Sequence, residues 1–357
     1  MRLSAEQDEL RSAVRSLLSR EAGDAAWPVL AGQMGLAGLA VPEEYGGVGG
    51  GARDVHTVME ELGRALSPAP FLGSSVLVVH ALLASGDAAA CARLLPALAD
   101  GGSAGLLAWA EQSSWDPAAV RTEALPAADG AWRLTGTKEH VLDAAGAGLL
   151  LVAARTGAGV SLFEVPADGS GVRRERVVTM DQTRPQARVT LLSAPARLIG
   201  ADGDGQRVLC RVRDLACAAL AAEETGAAAR CLELTVEHVR TRVQFGRPIG
   251  SFQAVKHRLA DAYVQVEAAR SAALGAAFAA DEDPAALPRL AATAASVCAE
   301  AFSSVAGEMI QLHGGIGITW EHDAHRYFKR AHGCGQLFGS PAGHRERIAA
   351  GLGLLPA

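Results

Sequence analysis

Apolar residues recur at helical spacing at both ends of this chain and alternate in its middle, which divides it into three zones. In the first, residues 1–103, Leu10, Val14, Leu17 and Leu18 fall on one face at i, i+4, i+7 and i+8 spacing and predict an amphipathic helix. The Gly/Pro-rich passage from Val41 to Gly51 reads as loop. A second helical run covers Val55 to Leu66 and stops at Ser-Pro-Ala-Pro; a third covers Ser74 to Leu98 and stops at Ala-Asp-Gly-Gly. Residues 104–200 have another texture. AWRLTG, LLLVAAR, VSLFEVP and ARVTLL are short segments with Gly136, Gly157, Gly159, Gly169 and Gly171 at the expected turns. This pattern predicts a small antiparallel β-domain, either barrel or sandwich. Residues 201–357 are helical again. No proline falls between Pro195 and Pro248, which leaves room for a long helix, and Ser251 to Ala280 and Ala286 to Leu312 predict two more. The last ends at His-Gly-Gly, with glycines suited to a C-cap. Long Ala-rich helices in succession pack as an antiparallel four-helix-type bundle. The predicted class is therefore α+β, mostly α.

Composition narrows what such a fold can do. With 33 Lys+Arg against 39 Asp+Glu the formal charge is −6, and without basic blocks the chain is a poor ligand for a nucleic-acid backbone. No apolar run reads as a membrane span, and the amphipathic first residues lack a signal-peptide block, so a cytoplasmic location is expected. Six cysteines show no CxxC pair, which predicts buried thiols and no metal site.

Common catalytic signatures are missing: there is no GxGxxG after a strand, no Walker A and no HExxH. Two C-terminal segments carry more information, RTRVQFGRPIGSFQAVKHRLAD (Arg240 to Asp261) and QLHGGIGITWEHDAHRYFKRA (Gln311 to Ala331). Together with VPEEYGG (Val41 to Gly47), EELGRALSP (Glu60 to Pro68) and LTGTKEHV (Leu134 to Val141), the chain resembles the flavin-dependent acyl-CoA dehydrogenases over nearly its whole length. DQTRPQARV and WEHD make it similar to the actinobacterial branch acting on steroid side chains and natural products.

The resemblance implies an FAD site at a subunit interface. Arg242 would grip the pyrophosphate bidentately, with Gln244, Phe245 and Gln253 along the same path. Gln311, Gly314 and Gly315 would let backbone approach the adenosine half. It also implies a helical N-terminal domain (1–103), a middle β-domain (104–200) and a C-terminal bundle (201–357). An acyl-CoA or acyl-carrier-protein thioester would be the substrate, an electron-transfer flavoprotein the electron acceptor, and a homo- or hetero-oligomer (dimer or tetramer) the assembly.

Several positions depart from the family's pattern. The base is usually a glutamate, and Phe338 stands there; the alternative base position falls at Ala216. Flavin-contacting Thr-Glu-Pro reads Ala110-Glu111-Gln112, and Trp-x-Thr/Ser reads His140-Val141-Leu142. His140 is expected either to touch flavin or to face solvent. Glu223 lies two helical turns past Ala216, about 10 Å along the axis, too far to serve the same carbon. Asp214 points elsewhere, Glu321 is expected in a salt bridge, and no base is assigned. Three functions remain open: an FAD-dependent α,β-dehydrogenase of acyl thioesters, a base-less partner subunit completing a neighbour's FAD site, and other flavin chemistry on the same fold.

Overall fold

In this computed structural model, which describes residues 2–21, 23–128, 130–143 and 148–354, Ser4 and Gln7 form a reciprocal capping pair that starts the first helix. The helices before the sheet are α1 (Ala5–Arg20), the single turn α2 (Ala26–Pro28), α3 (Ala52–Arg64), α4 (Val79–Ser85) and α5 (Ala88–Ala99). Val14 and Leu17 of α1 are buried, and Arg15 and Arg11 clip the helix to Glu61 and Glu60 of α3. The run expected from Ser74 to Leu98 is not one helix. It begins in π-helical turns (Phe71–Val78), passes into α4, and breaks at Gly86, whose φ of 70° ends α4. Asp87 then caps α5 through Ala90 N. Periodicity survives a two-residue break, so the pattern alone did not reveal it.

Seven strands form one sheet: β1 (Gly105–Ala108), β2 (Glu123–Pro126), β3 (Trp132–Leu142), β4 (Leu149–Arg155), β5 (Val160–Pro166), β6 (Val172–Val177) and β7 (Gln186–Ile199). β5 pairs with both β4 and β7, and β2 bridges β3 to β4, so the ring closes as a barrel. The sheet is mixed, where an antiparallel one was expected: β1 and β2 both run parallel to β4. Alternation reports which face is buried and is blind to strand direction. β1 was missed because all four of its residues are buried and nothing alternates. Gly136 is not a turn residue. It sits inside β3 at a register shift, where a Cβ would come within 2.4 Å of Thr122 Oγ1.

The bundle consists of α6 (Gly205–Thr241), α7 (Gln253–Glu282) and α8 (Leu287–His313), with the shorter α9 (Ala324–Cys334) and α10 (Pro341–Gly351) packed on it. Contrary to expectation, α8 is long and apolar enough to pass as a span by composition, yet more than half of that stretch is buried in the bundle. Between α6 and α7 a two-strand hairpin, β8 (Val243–Gln244) and β9 (Arg247–Pro248), projects from one end of the bundle.

α3 and α6 cross at two glycines. A Cβ on Gly226 would lie 1.9 Å from Glu60 O, and one on Gly63 would lie 2.0 Å from Glu223 O. This crossing sets the depth of Glu223 beneath α3. Gly226→Ala is expected to destabilise the protein by about 1–3 kcal/mol through forced separation of the helices. A urea midpoint equal to that of the unaltered protein would refute the crossing's role.

Candidate functional site

Two places collect the residues that the sequence singles out. The first lies where the barrel meets the bundle. Ala110 and Glu111 leave β1, His140 lies two residues before the end of β3, and Phe338 follows α9, and aromatic rings occupy the ground between them. Phe338 is only 2 % exposed and stacks on Trp109 at 5.8 Å and 13°. Trp115 meets Phe338 edge-on at 5.0 Å and Trp109 at 5.1 Å, and Trp109 Nε1 donates to Trp115 O. His140, which was expected at flavin or in solvent, stacks on Trp115 at 6.0 Å and bonds Gln186 Oε1 through Nδ1. The interior of this cluster is packed ring on ring, and a cavity of about 640 Å³ opens beside it, lined by Asp143, Pro185, Gln186 and Ala187. Trp115 gave no sequence signal, because a lone tryptophan in a loop announces neither a contact nor a plug.

Carboxylates around this cluster are committed elsewhere. Glu111 accepts from Thr122 N, Thr122 Oγ1, Arg121 N and the buried Lys138 ammonium. Burial pulls Lys138 down to about 8, opposed by Glu111. Glu223 lies between two guanidiniums: Arg184 grips both its oxygens, and Arg330 Nε donates to Oε1 at 2.9 Å. Arg330 also reaches Thr183 Oγ1 at 2.8 Å, Ser67 O and Asp181. Burial would raise the Glu223 pKa, but the two arginines win and hold it at about 2. A carboxylate so strongly stabilised as the anion is a poor proton acceptor.

The void beside Glu223 is about 10 Å³, far below the several hundred Å³ of a ligand pocket. Glu224 turns toward Leu337, Gly339 and His344 behind the Phe338 turn, and burial pushes its carboxyl well above the usual range. Ala216 is fully buried, and Asp214 pairs with Arg347. Glu321 is exposed, and no salt bridge to it occurs among the described residues, contrary to expectation.

The second place is the open end of the bundle. Arg242 caps α6 with its N–H on His238 O and its side chain exposed. Gln244 lies in the hairpin, and Phe245 is at its tip, 90 % exposed. Phe245 and Gly246 both have positive φ, 54° and 77°, the signature of a type I′ turn that is costly for a phenylalanine. Phe252 supports it, with the Phe245 ring edge-on at 6.1 Å and the Arg247 guanidinium 4.1 Å from its centroid. Gln253 begins α7, exposed. Gln311 is exposed in the last turn of α8, and Gly314 (φ 63°) and Gly315 follow with open space where a Cβ would be. His238 and His313, stacked at 4.2 Å, tie the Arg242 end to the Gln311 end. All seven residues thus lie at one end of the bundle. An exposed guanidinium, amides and an uncovered Gly-Gly backbone suit the diphosphate and adenosine half of FAD, in contrast to the filled ground inside.

Comparison with known proteins agrees with this architecture. The sequence model for the acyl-CoA dehydrogenase N-terminal domain matches residues 4–102, and that for the C-terminal domain matches residues 203–353. Acyl-CoA dehydrogenase IpdE2 of Mycobacterium tuberculosis is 41 % identical over 354 residues, covering 94 % of each chain. Among solved structures, the Tcur3481-Tcur3483 steroid ACAD G363A variant superposes with a TM-score of 0.87 at 32 % identity over 98 % of each chain. A chain of the ChsE4-ChsE5 complex from Mycobacterium tuberculosis superposes with a TM-score of 0.89 at 30 % identity, covering 100 % of this chain and 99 % of that one. With this fold and these relatives, the chain belongs to the acyl-CoA dehydrogenase family of FAD-dependent flavoprotein oxidoreductases.

Proposed function

We propose that this chain serves the α,β-dehydrogenation of an acyl thioester as the subunit that completes a neighbour's FAD site, with the flavin ring and the base residing in the neighbouring chain. One observation carries the reading: Phe338 is buried against Trp109 and Trp115 where a base and a ring would meet. The chain's exposed contribution is then Arg242, Gln244, Phe245, Gln253, Gln311, Gly314 and Gly315, which would hold the diphosphate and adenosine of the neighbour's cofactor. The steroid ACAD Tcur3481-Tcur3483 and the ChsE4-ChsE5 complex, each joining two chains, support a mixed assembly. The thioester would be carried on CoA or on a carrier protein, and electrons would leave to an electron-transfer flavoprotein.

The test is a visible spectrum. The chain purified alone is expected to be colourless, and to yield a yellow complex when co-expressed with a second dehydrogenase subunit. Arg242→Ala in that complex should weaken flavin retention about tenfold to a hundredfold, the scale of a lost charge-assisted phosphate contact. Stoichiometric flavin retained by the chain alone through gel filtration would instead make it a self-contained dehydrogenase.

A further inference from the structure

Three histidines are grouped at the open end of the bundle. His238 of α6 and His313 of α8 stack at 4.2 Å, and His322, in the turn before α9, lies 4.3 Å from His313 on ring centroids. His313 Nδ1 donates to Met309 O at 2.7 Å, so its lone pair is at Nε2, which is buried without a partner. His322 Nδ1 accepts from Ala324 N, the first residue of α9.

No carboxylate lies within ion-pair distance of the three rings among the described residues. Arg242, at the end of α6, acts on His238, and the neighbouring imidazoles act on His313, so each disfavours a further cation there. Above this stack the chain displays Ile318 and Trp320, both more than 70 % exposed, beside Gly314 and Gly315.

We propose that His238 and His313 form a proton-sensitive latch: neutral, they fasten the segment Gln311–Arg326, through the stacked His322, to Arg242's end of α6; protonated, they release it and with it the surface for the neighbour's dinucleotide. The latch itself stands on this chain's geometry, and its effect on the neighbour rests on the shared-site reading. Burial lowers His313 to about 4, and burial with His322 and Arg242 lowers His238 as well. For groups depressed on folding from about 6.5, the stabilisation is complete above that pH and is lost as pH falls toward the folded values.

Hydrogen exchange of the full chain, corrected for the intrinsic rate, reads the latch directly. Protection of residues 314–325 is expected to drop at least about tenfold between about pH 7.5 and pH 5, while α7 stays protected. In the double variant His238→Phe, His313→Phe, the ring stack is kept without its two titrating imidazoles, and His322 still caps α9. Its protection of the same segment should change by less than about threefold. The proposal is overturned by equal protection of the unaltered chain at both pH values, by the same loss in the double variant, or by loss throughout the chain. If the segment opens as expected but a neighbouring subunit binds at no pH, the latch stands and the shared-site reading falls.

Discussion

Glu223→Ala is expected to cost about 3–5 kcal/mol of folding stability, the largest single-site loss we foresee, because it leaves the Arg184 and Arg330 guanidiniums buried without their counter-charge. Both arginines and the glutamate are under one-tenth exposed, so solvent screens little of the effect. Urea denaturation measures it, and a change below about 0.5 kcal/mol would show that water reaches the cluster. A comparison variant, Arg184→Met with Glu223→Leu and Arg330→Met, removes all three charges together. It should recover most of the loss, since the penalty lies in the unpaired charge. The pH dependence has a definite sign. Because the Glu223 pKa is depressed to about 2, its contribution is fully present above about pH 4.5 and disappears as pH falls toward 2. The Glu223→Ala protein should lack that part of the acid-side loss.

Phe338→Glu is the second large effect, and it runs against the simplest repair of the catalytic position. The new carboxyl would enter a site 2 % exposed, flanked by two indoles and with no donor aimed at it. We expect a loss of about 3–5 kcal/mol at pH 7, combining the missing ring with burial of an unpaired charge. Burial raises the pKa of such a carboxyl, so the loss should shrink below about pH 4.3, where folded and unfolded forms are both protonated. No α-proton exchange with acyl thioesters is expected, because the new carboxyl would be packed between two indoles. Exchange measured by deuterium incorporation in the single variant would mean that Trp109 and Trp115 move aside, and would restore a catalytic role for this chain. Trp115→Gly combined with Phe338→Glu is the more plausible route to an open seat.

The outer surface was legible in the sequence for a physical reason. Arg242, Gln244, Phe245, Gln253, Gln311, Gly314 and Gly315 belong to two contiguous motifs whose backbone demands, a tight hairpin and a Gly-Gly helix end, are local. The inner site was not legible. Substitutions at Phe338 and Ala216 announced a missing base, but only packing shows that Trp109 and Trp115 close the ground beside them. Glu223 was set aside on distance along the helix, whereas what disqualifies it is the pair of guanidiniums brought from β7's approach and from α9. The histidine stack was equally hidden, since its members lie 75 and 9 residues apart.

By itself the amino-acid order determined the kind of elements, helix or strand, and the two surface motifs, because helix caps, turns and hydrophobic periods are set by neighbours within a few residues. The tertiary structure alone decided strand direction in the barrel, the partners of each buried charge and whether the inner seat is open. Those depend on contacts between distant segments, where one added ring or one guanidinium changes what a cavity can hold.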